Sequence, residues 1–329
     1  MTVLVTGGAG YIGAHTVRAL RGANRKVVVL DTLERGNREA VVDAELIVGD
    51  IADQELVGRI CKDHNVTSVV HFAAYKAVGE SMSKPEMYWS NNVASTEKLL
   101  AVLADNQVDK FVFSSSAAVY GTPESVPVTE SMPTLPESVY AETKLAVEKY
   151  LGTLAVRAAQ PISSVSLRYF NAAGASSDNK IGEDWTTSQN LLPRVMRALL
   201  DSAFKFEIYG NDYATPDGTC IRDYIHVEDL ATAHLKALEY LESGGKTLTC
   251  NIGTGNGTSV MQLIDLTEQI AKRKVPYTVS ARRPGDPVSV YADATLANKT
   301  LSWHATKSLQ QIVESAYAWH STHPNGFRK

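Results

Sequence analysis

The chain has 329 residues, enough for two domains that each bury a core, and 44% hydrophobic with 21% charged residues is the balance of a globular protein in water. A net charge of −4 with no basic block leaves no footprint for a nucleic-acid or membrane partner. The three cysteines, Cys61, Cys220 and Cys250, are far apart and odd in number, and the eight histidines lack ligand spacing, so neither a disulfide framework nor a metal site is expected.

The N-terminus runs from Thr2-Val3-Leu4-Val5-Thr6 straight into glycines, without the basic and apolar regions of a leader, and no apolar run reaches the ~18 residues of a membrane span. The expected compartment is a reducing cytoplasm.

In chain order, Thr2 to Thr6 reads as a short buried strand, followed by Gly7-Gly8-Ala9-Gly10-Tyr11-Ile12-Gly13 and an amphipathic run from Ala14 to Arg21. A second strand, Lys26 to Leu30, ends at Asp31. Strand, glycine loop, helix, strand and terminal acid together form a dinucleotide fingerprint. Glycines Gly7, Gly10 and Gly13 let the backbone approach a pyrophosphate, and the helix N-terminus presents N–H groups to it. Asp31 is placed for the adenosine ribose hydroxyls and repels a 2′-phosphate, which favours NAD over NADP, while Arg35 and Arg38 lie close enough to act the other way.

The alternation continues with strands at Glu45–Val48, Ser68–Phe72, Lys110–Ser114 and Ser163–Arg168, and helices at Ala52–Asp63, from Pro85 to about Asn106, and from Tyr140 to about Arg157. That order predicts an α/β fold, a Rossmann-type doubly wound parallel sheet with ligands at the carboxyl ends of its strands. Gly7, Asp31, Asp50, Ala73, Ser114-Ser115-Ser116 and Asn171 all fall at such ends.

Beyond Asn171 the pattern breaks. Ala172–Asp184 reads as loop, Leu191–Leu200 as helix, Phe206–Tyr209 as a short strand, Val227–Leu241 as helix and Leu248–Ile252 as strand, with further helices at Ser259–Lys272 and Ser308–His320. Residues 1–170 are expected to form the dinucleotide domain and 171–329 a second, smaller α/β substrate domain, with 226–252 crossing back to the first.

The chemistry centres on Ser138-Val139-Tyr140-Ala141-Glu142-Thr143-Lys144. On a helix, Tyr140 and Lys144 lie on one face, and a nearby cation favours phenolate over phenol. The pair is a candidate base for a sugar or alcohol hydroxyl, with a serine at the preceding strand end able to bond the same oxygen. An exposed Tyr and Lys on an amphipathic helix, and a serine capping local backbone, are the ordinary alternatives.

These residues carry a resemblance over essentially the whole chain. Val5 to Gly13, His71-Phe72-Ala73-Ala74, Lys76-Ala77-Val78-Gly79-Glu80-Ser81, Phe113 to Gly121, Leu167-Arg168-Tyr169-Phe170-Asn171 and Arg222-Asp223-Tyr224-Ile225-His226-Val227 resemble the extended short-chain dehydrogenase/reductase family, within it the UDP-hexose 4-epimerases. The resemblance implies interconversion of UDP-glucose and UDP-galactose by transient oxidation at C4, turnover of the 4-ketose held by its UDP, and re-reduction. It implies Tyr140 as acid/base, Lys144 on the nicotinamide ribose and tuning Tyr140, and Ser116 on the sugar hydroxyl. NAD would be lined by Gly7, Gly10, Tyr11, Ile12, Gly13, Asp31, Thr32, Gly36, Asp50, Ile51, Phe72, Ala73, Ala74, Lys76, Asn91, Ser114 and Phe170, besides Tyr140 and Lys144. The UDP-sugar would meet Lys76, Ser116, Tyr140, Asn171, Asn190, Leu191, Glu207, Ile208, Tyr209, Arg222, Arg283, Asp286 and Val290. Arg222 and Arg283 are fixed cations with planar donors suited to a diphosphate, and ion pairing with Asp223 or Asp286 is the alternative.

A homodimer is also implied, sharing helices near Pro85–Asn106 and Tyr140–Arg157 through Leu99, Leu100, Leu103, Leu145, Val147 and Leu151; these side chains could instead serve the monomer's own core. The family often has Phe-Ala-Gly-Leu-Lys where this chain has Phe72-Ala73-Ala74-Tyr75-Lys76, for which local repacking is expected. Val290 falls where some such epimerases carry a tyrosine, and a smaller residue leaves room for an N-acetyl group, so UDP-GlcNAc and UDP-GalNAc join the expected substrates unless Val290 points elsewhere or Tyr291 fills the gap. Two rival readings are a nucleotide-sugar 4,6-dehydratase and a non-catalytic NAD-sensing regulator. The dehydratases resemble Thr-Asp-Glu before Val-Tyr-Gly, where this chain has Ser116-Ala117-Ala118 before Val119-Tyr120-Gly121, and alanines cannot move protons. A regulator would have no need of Tyr140, Lys144 and Ser116 together.

Overall fold

The computed structural model describes residues 1–157, 161–283 and 285–327. Its frame is a seven-stranded, all-parallel sheet. The strands are β1 (Thr2–Thr6), β2 (Lys26–Asp31), β3 (Glu45–Val48), β4 (Val66–His71), β5 (Lys110–Ser114), β6 (Ser163–Tyr169) and, after three strands of the second lobe, β10 (Leu248–Ile252). Their spatial order is β3-β2-β1-β4-β5-β6-β10. The inner strands are Val- and Leu-rich and buried on both faces, as a parallel sheet covered by helices requires.

Helices α1 (Tyr11–Gly22), α2 (Gln54–Asp63), α3 (Val78–Ser83), α4 (Pro85–Tyr88), α5 (Ser95–Asp105) and α6 (Val139–Arg157) belong to this half of the chain. One core lies between the sheet and α1, built on Val3, Val5, Val17, Leu20 and Val29. The other lies on the opposite face, where Leu99, Leu100, Leu103, Val147 and Leu151 pack against Leu4, Val28, Val69 and Phe111. With Leu145 also buried, all six apolar positions read as shared dimer surface serve this monomer's core. The single helix expected from Pro85 to Asn106 is interrupted by a π-helical turn over Trp89–Ala94.

The second lobe contains β7 (Asn171–Ala173), α7 (Leu191–Leu200), β8 (Glu207–Tyr209), β9 (Ile221–His226) and α8 (Val227–Glu242), and then, after β10, β11 (Gly257–Ser259), α9 (Val260–Ala271), β12 (Thr278–Ser280), β13 (Ser289–Val290), α10 (Thr295–Leu301) and α11 (Leu309–Thr322). Strand β9 pairs with β7, β11 and β13 in a small sheet, and β8 pairs with β12. Helix α8 packs on α1, and β10 pairs in register with β6 as the edge of the main sheet. Strands β7, β11, β12 and β13 are two or three residues long, β9 mixes polar with apolar residues, and all are held by tertiary pairing, which is why the sequence pattern did not separate them from loop.

Candidate active site

The glycine loop is built for close approach. Gly7 has φ +71°, and a Cβ there would lie 2.5 Å from the Ala73 nitrogen; one on Gly13 would lie 2.3 Å from the Gly7 carbonyl oxygen. No side chain caps the N-terminus of α1, so its first N–H groups are left for an anion. Asp31 ends β2 with Oδ2 accepting from Ala9 N at 2.9 Å and Oδ1 from Leu33 N at 2.9 Å, and its remaining lone pairs are free for hydroxyl donors. Gly36 stands against that carboxylate, since a Cβ there would sit 2.9 Å from Asp31 Oδ1. These features fit an adenosine ribose and a pyrophosphate.

The other residues expected around a dinucleotide differ in their surroundings. Ile12 and Phe72 pack against the α1-side core, while Ile51 is buried in the α2/α5-side core and Ala73 packs against it. Thr32 is exposed and accepts from Glu34 N, and Asp50 accepts from Ala52 N at 2.8 Å. Tyr11 donates to Gly174 O at 2.7 Å, reaching the second lobe. Asn91 sits on the π-helical turn and donates to Asn92 Oδ1 at 2.9 Å. Asn92 itself is buried and grips both the N–H and C=O of Tyr75 and the Thr143 hydroxyl. It thereby ties the loop carrying Ala74 and Lys76 to the helix carrying Lys144.

A second tie crosses the glycine loop. In the sheet, β1 lies between β2 and β4, so loops leaving β2 and β4 can meet only over the end of β1. They do meet: Tyr75 donates to Glu34 Oε2 at 2.8 Å, the Arg35 guanidinium lies 4.2 Å over the Tyr75 ring, and Arg35 pairs with Glu80 at 2.9 Å. The departure at Tyr75 is therefore more than local repacking, and Arg35 is committed to this bridge.

Helix α6 begins where Ser138 caps it, accepting from Ala141 N at 3.2 Å, and Ser81 of α3 accepts from Tyr140 N at 3.1 Å. This sets Tyr140 and Lys144 against the end of β5, where Lys144 Nζ donates to Ser114 O at 2.8 Å. Ser114 donates to the Tyr169 hydroxyl at 3.0 Å, and Ser116 accepts from Ala118 N at 3.2 Å. Tyr140, Lys144, Ser114 and Ser116 thus gather at one strand end. The electrostatics differ from the sequence expectation that Lys144 lowers the Tyr140 pKa. Burial pushes the Tyr140 phenol well up, Tyr169 adds to this, and only the Ser116 hydroxyl pulls it down. Lys144 Nζ is 5.9 Å from the Tyr140 ring centre and is itself lowered to about 7 by burial, against the favourable charge of Glu148.

In the second lobe, Arg222 pairs with Asp286 at 2.7 Å and donates to the carbonyls of Ile221 and Pro287. Asp223 is no partner of Arg222: it is fully buried, accepting from Thr254, Gly255 and Ala292. Arg283 stacks 3.8 Å over the Tyr209 ring, and Pro284 beside it lies outside the described residues. Ile208 is turned into the core, between half-buried Glu207 and Tyr209. Asn171 donates to Asp223 O at 3.1 Å. Val290 is buried with Ala117, Tyr120 and Leu145, and Phe170 packs on that cluster.

Sequence reasoning missed Glu183. It is buried, and its Oε1 accepts from Asn190 at 2.7 Å, Ser188 at 2.8 Å and Lys76 at 3.3 Å, with Asn190 and Leu191 at the start of α7. It lies in a stretch rich in Gly, Ser and Asp, with no periodicity to mark it. Glu148 and Asn92 were missed as well, although Glu148 stands four residues after Lys144.

Comparison with known proteins shows the family and the fold. Residues 3–253 match the NAD dependent epimerase/dehydratase family. The chain is 44% identical to UDP-glucose 4-epimerase of Halalkalibacterium halodurans, covering 99% of this chain and 98% of the relative. It superposes on UDP-glucose 4-epimerase from Brucella ovis in complex with NAD at TM-score 0.93 and 42% identity, over 96% and 97% of the two chains. A crystal structure of UDP-glucose 4-epimerase from Bifidobacterium longum in complex with NAD+ and UDP superposes at TM-score 0.91 and 40% identity, over 99% and 100%. With its uncapped glycine-loop helix, its Asp31 and its clustered serine, tyrosine and lysine, the chain belongs to the NAD dependent epimerase/dehydratase family.

Proposed function

We propose that this chain interconverts UDP-glucose and UDP-galactose at C4 of the sugar with NAD resident. The convergence of Tyr140, Lys144 and Ser116 beside the glycine loop carries the reading. Gly7, Gly10, Gly13 and Asp31 would hold the pyrophosphate and adenosine ribose, with Phe72 to Ala74, Lys76 and Asn91 along the remainder. Bound NAD supplies a hydride acceptor and donor for sugar C4. Tyr140 exchanges the proton of the 4-hydroxyl, and Ser116 hydrogen-bonds the same oxygen. Lys144, lowered to about 7 by burial and so charged in part at neutral pH, contributes in its ammonium form the cation that a phenolate at Tyr140 needs. Arg222 and Arg283 face the diphosphate, with Asp286 fixing the plane of Arg222.

At position 290 the wall beside Ala117 carries a small aliphatic side chain in place of the tyrosine some such epimerases have, which supports UDP-GlcNAc and UDP-GalNAc as further substrates. Ala117 and Ala118 speak against dehydration, for the reason given above. Residues 1–170 with 226–252 are taken as the NAD unit and the rest of 171–329 as the UDP-sugar unit. A cytoplasmic homodimer completes the proposal; among the described residues no helix is long and apolar enough to cross a membrane. The test is an assay of UDP- and dTDP-linked sugars without added NAD, with the extracted nucleotide identified by mass. Conversion of UDP-glucose to UDP-galactose with NAD in the extract supports the reading. No conversion of that pair, or stoichiometric NADP, overturns it.

A further inference from the structure

Behind the serines at the end of β5 lies a buried ionic network with no direct access to the cleft. Glu148 Oε1 accepts from Ser115 Oγ at 2.5 Å and from Arg168 Nε at 3.0 Å, and its Oε2 accepts from Arg168 Nη2 at 2.6 Å. Arg168 Nη1 donates to the Tyr120 hydroxyl at 2.9 Å, and Tyr120 donates to Asn251 Oδ1 at 2.8 Å. Asn251, on β10, is fixed in turn by Glu130 and the Val128 carbonyl. The side chains of Glu148 and Arg168 are 5% and 9% exposed, so both charges are withdrawn from water.

A buried ion pair is a poor device for stability alone, because apolar replacements of similar volume are often neutral or stabilising. Its placement is the informative fact. Glu148 lies one turn beyond Lys144 on α6, and Arg168 immediately precedes Tyr169, which accepts from Ser114. Ser114 O in turn accepts from Lys144. Within the Ser114-Ser115-Ser116 run, Ser115 is bonded to this network directly and Ser114 to the neighbouring Tyr169 and Lys144, and Ser116 is the one read as meeting the sugar.

We propose that the Glu148–Arg168 pair is a positioning unit for the reaction: it fixes the serine run relative to α6, so that Ser116, Tyr140 and Lys144 converge, and it provides the counter-charge for the Lys144 ammonium. This rests on the reading that the three groups act on a sugar hydroxyl. The other titratable groups facing Lys144 are His71 on β4, Tyr140 on its own helix and, through Ser114, Tyr169 on β6. Glu148 is the carboxylate whose charge acts on Lys144, and it favours the ammonium form. Neither Glu148 nor Arg168 touches substrate.

Two variants test the proposal: Glu148→Gln, and the paired apolar replacement Glu148→Leu/Arg168→Met, which removes both charges and leaves no buried ion alone. The paired variant is expected to fold and retain its nucleotide, with kcat down roughly 10- to 100-fold and KM within about twofold, as for a misplacement of about an ångström. In Glu148→Gln the Lys144 titration midpoint, followed by NMR of labelled lysine, is expected to fall, and the alkaline limb of kcat to move to lower pH with it. That NMR readout needs no turnover, so an inactive wild type would sink the functional reading and leave the placement of Lys144 decidable. Wild-type kcat in the folded paired variant, or an unmoved Lys144 midpoint in Glu148→Gln, overturns the proposal.

Discussion

Tyr140 is a phenol held up by burial, so its usefulness as a base depends on neighbours that stabilise its anion. Tyr140→Phe removes the proton carrier and leaves the ring packed. Turnover is expected to fall by roughly 10² to 10⁴, the range for loss of a general acid/base, with nucleotide still bound. Near-normal kcat in that variant would end the mechanism. Val290 is a second residue to test, buried in one cluster with Ala117, which directly follows Ser116. Val290→Tyr is expected to reduce kcat/KM for UDP-GlcNAc several-fold more than for UDP-glucose, since it fills space an acetyl group would need. An equal effect on both would remove Val290 as the gate. The Tyr140 and Lys144 spacing and the strand-end serines were legible from sequence because each depends on local periodicity. The electrostatics were not: spacing puts Lys144 near Tyr140 but cannot show that its nitrogen is spent on the Ser114 carbonyl.

At the scale of elements, all of the main-sheet strands and most of the long helices could be read from apolar runs between turn residues. Their ends needed tertiary information. The π-helical turn at Trp89–Ala94 turns Asn92 inward to bind the Tyr75 backbone, and a hydropathy pattern carries no trace of that. In the second lobe the longer helices and the short strand at Glu207–Tyr209 were legible, whereas Ile221–His226 and Ser289–Val290 owe their strand form to pairing partners distant in sequence. Helices α5 and α6 bury Leu99, Leu100, Leu103, Leu145, Val147 and Leu151 inside the monomer, so a dimer through these helices must use their outer faces, such as Glu97, Lys98, Ala101, Lys149, Gly152 and Thr153. Sedimentation at micromolar concentration is expected to give a dimer that weakens on Ala101→Glu or Gly152→Glu. A stable wild-type monomer would rule out the shared bundle.

The molecule as a whole holds five buried histidines, His15, His71, His226, His234 and His320, each lowered to about 3 or 4, chiefly by burial. Unfolded, each takes up a proton near pH 6.5; folded, it does not until pH 3 to 4. The stability they confer is complete above about pH 6.5 and is lost as pH falls toward the folded values, at up to about 1.4 kcal/mol per pH unit for each histidine. Thermal melts are therefore expected to drop steeply between pH 6.5 and 4, and an unchanged Tm at pH 5 would refute this. The bridge of Glu34, Arg35, Tyr75 and Glu80 over the glycine loop has a kinetic consequence. Its ion pair is partly exposed and therefore screened by salt, and a dinucleotide bound against the glycine loop is expected to leave more slowly while the bridge is closed. Residence time of the nucleotide should thus shorten as ionic strength rises. In Tyr75→Leu it should be short at every salt concentration, which makes this protein's hold on its cofactor a matter of exchange rate as well as affinity.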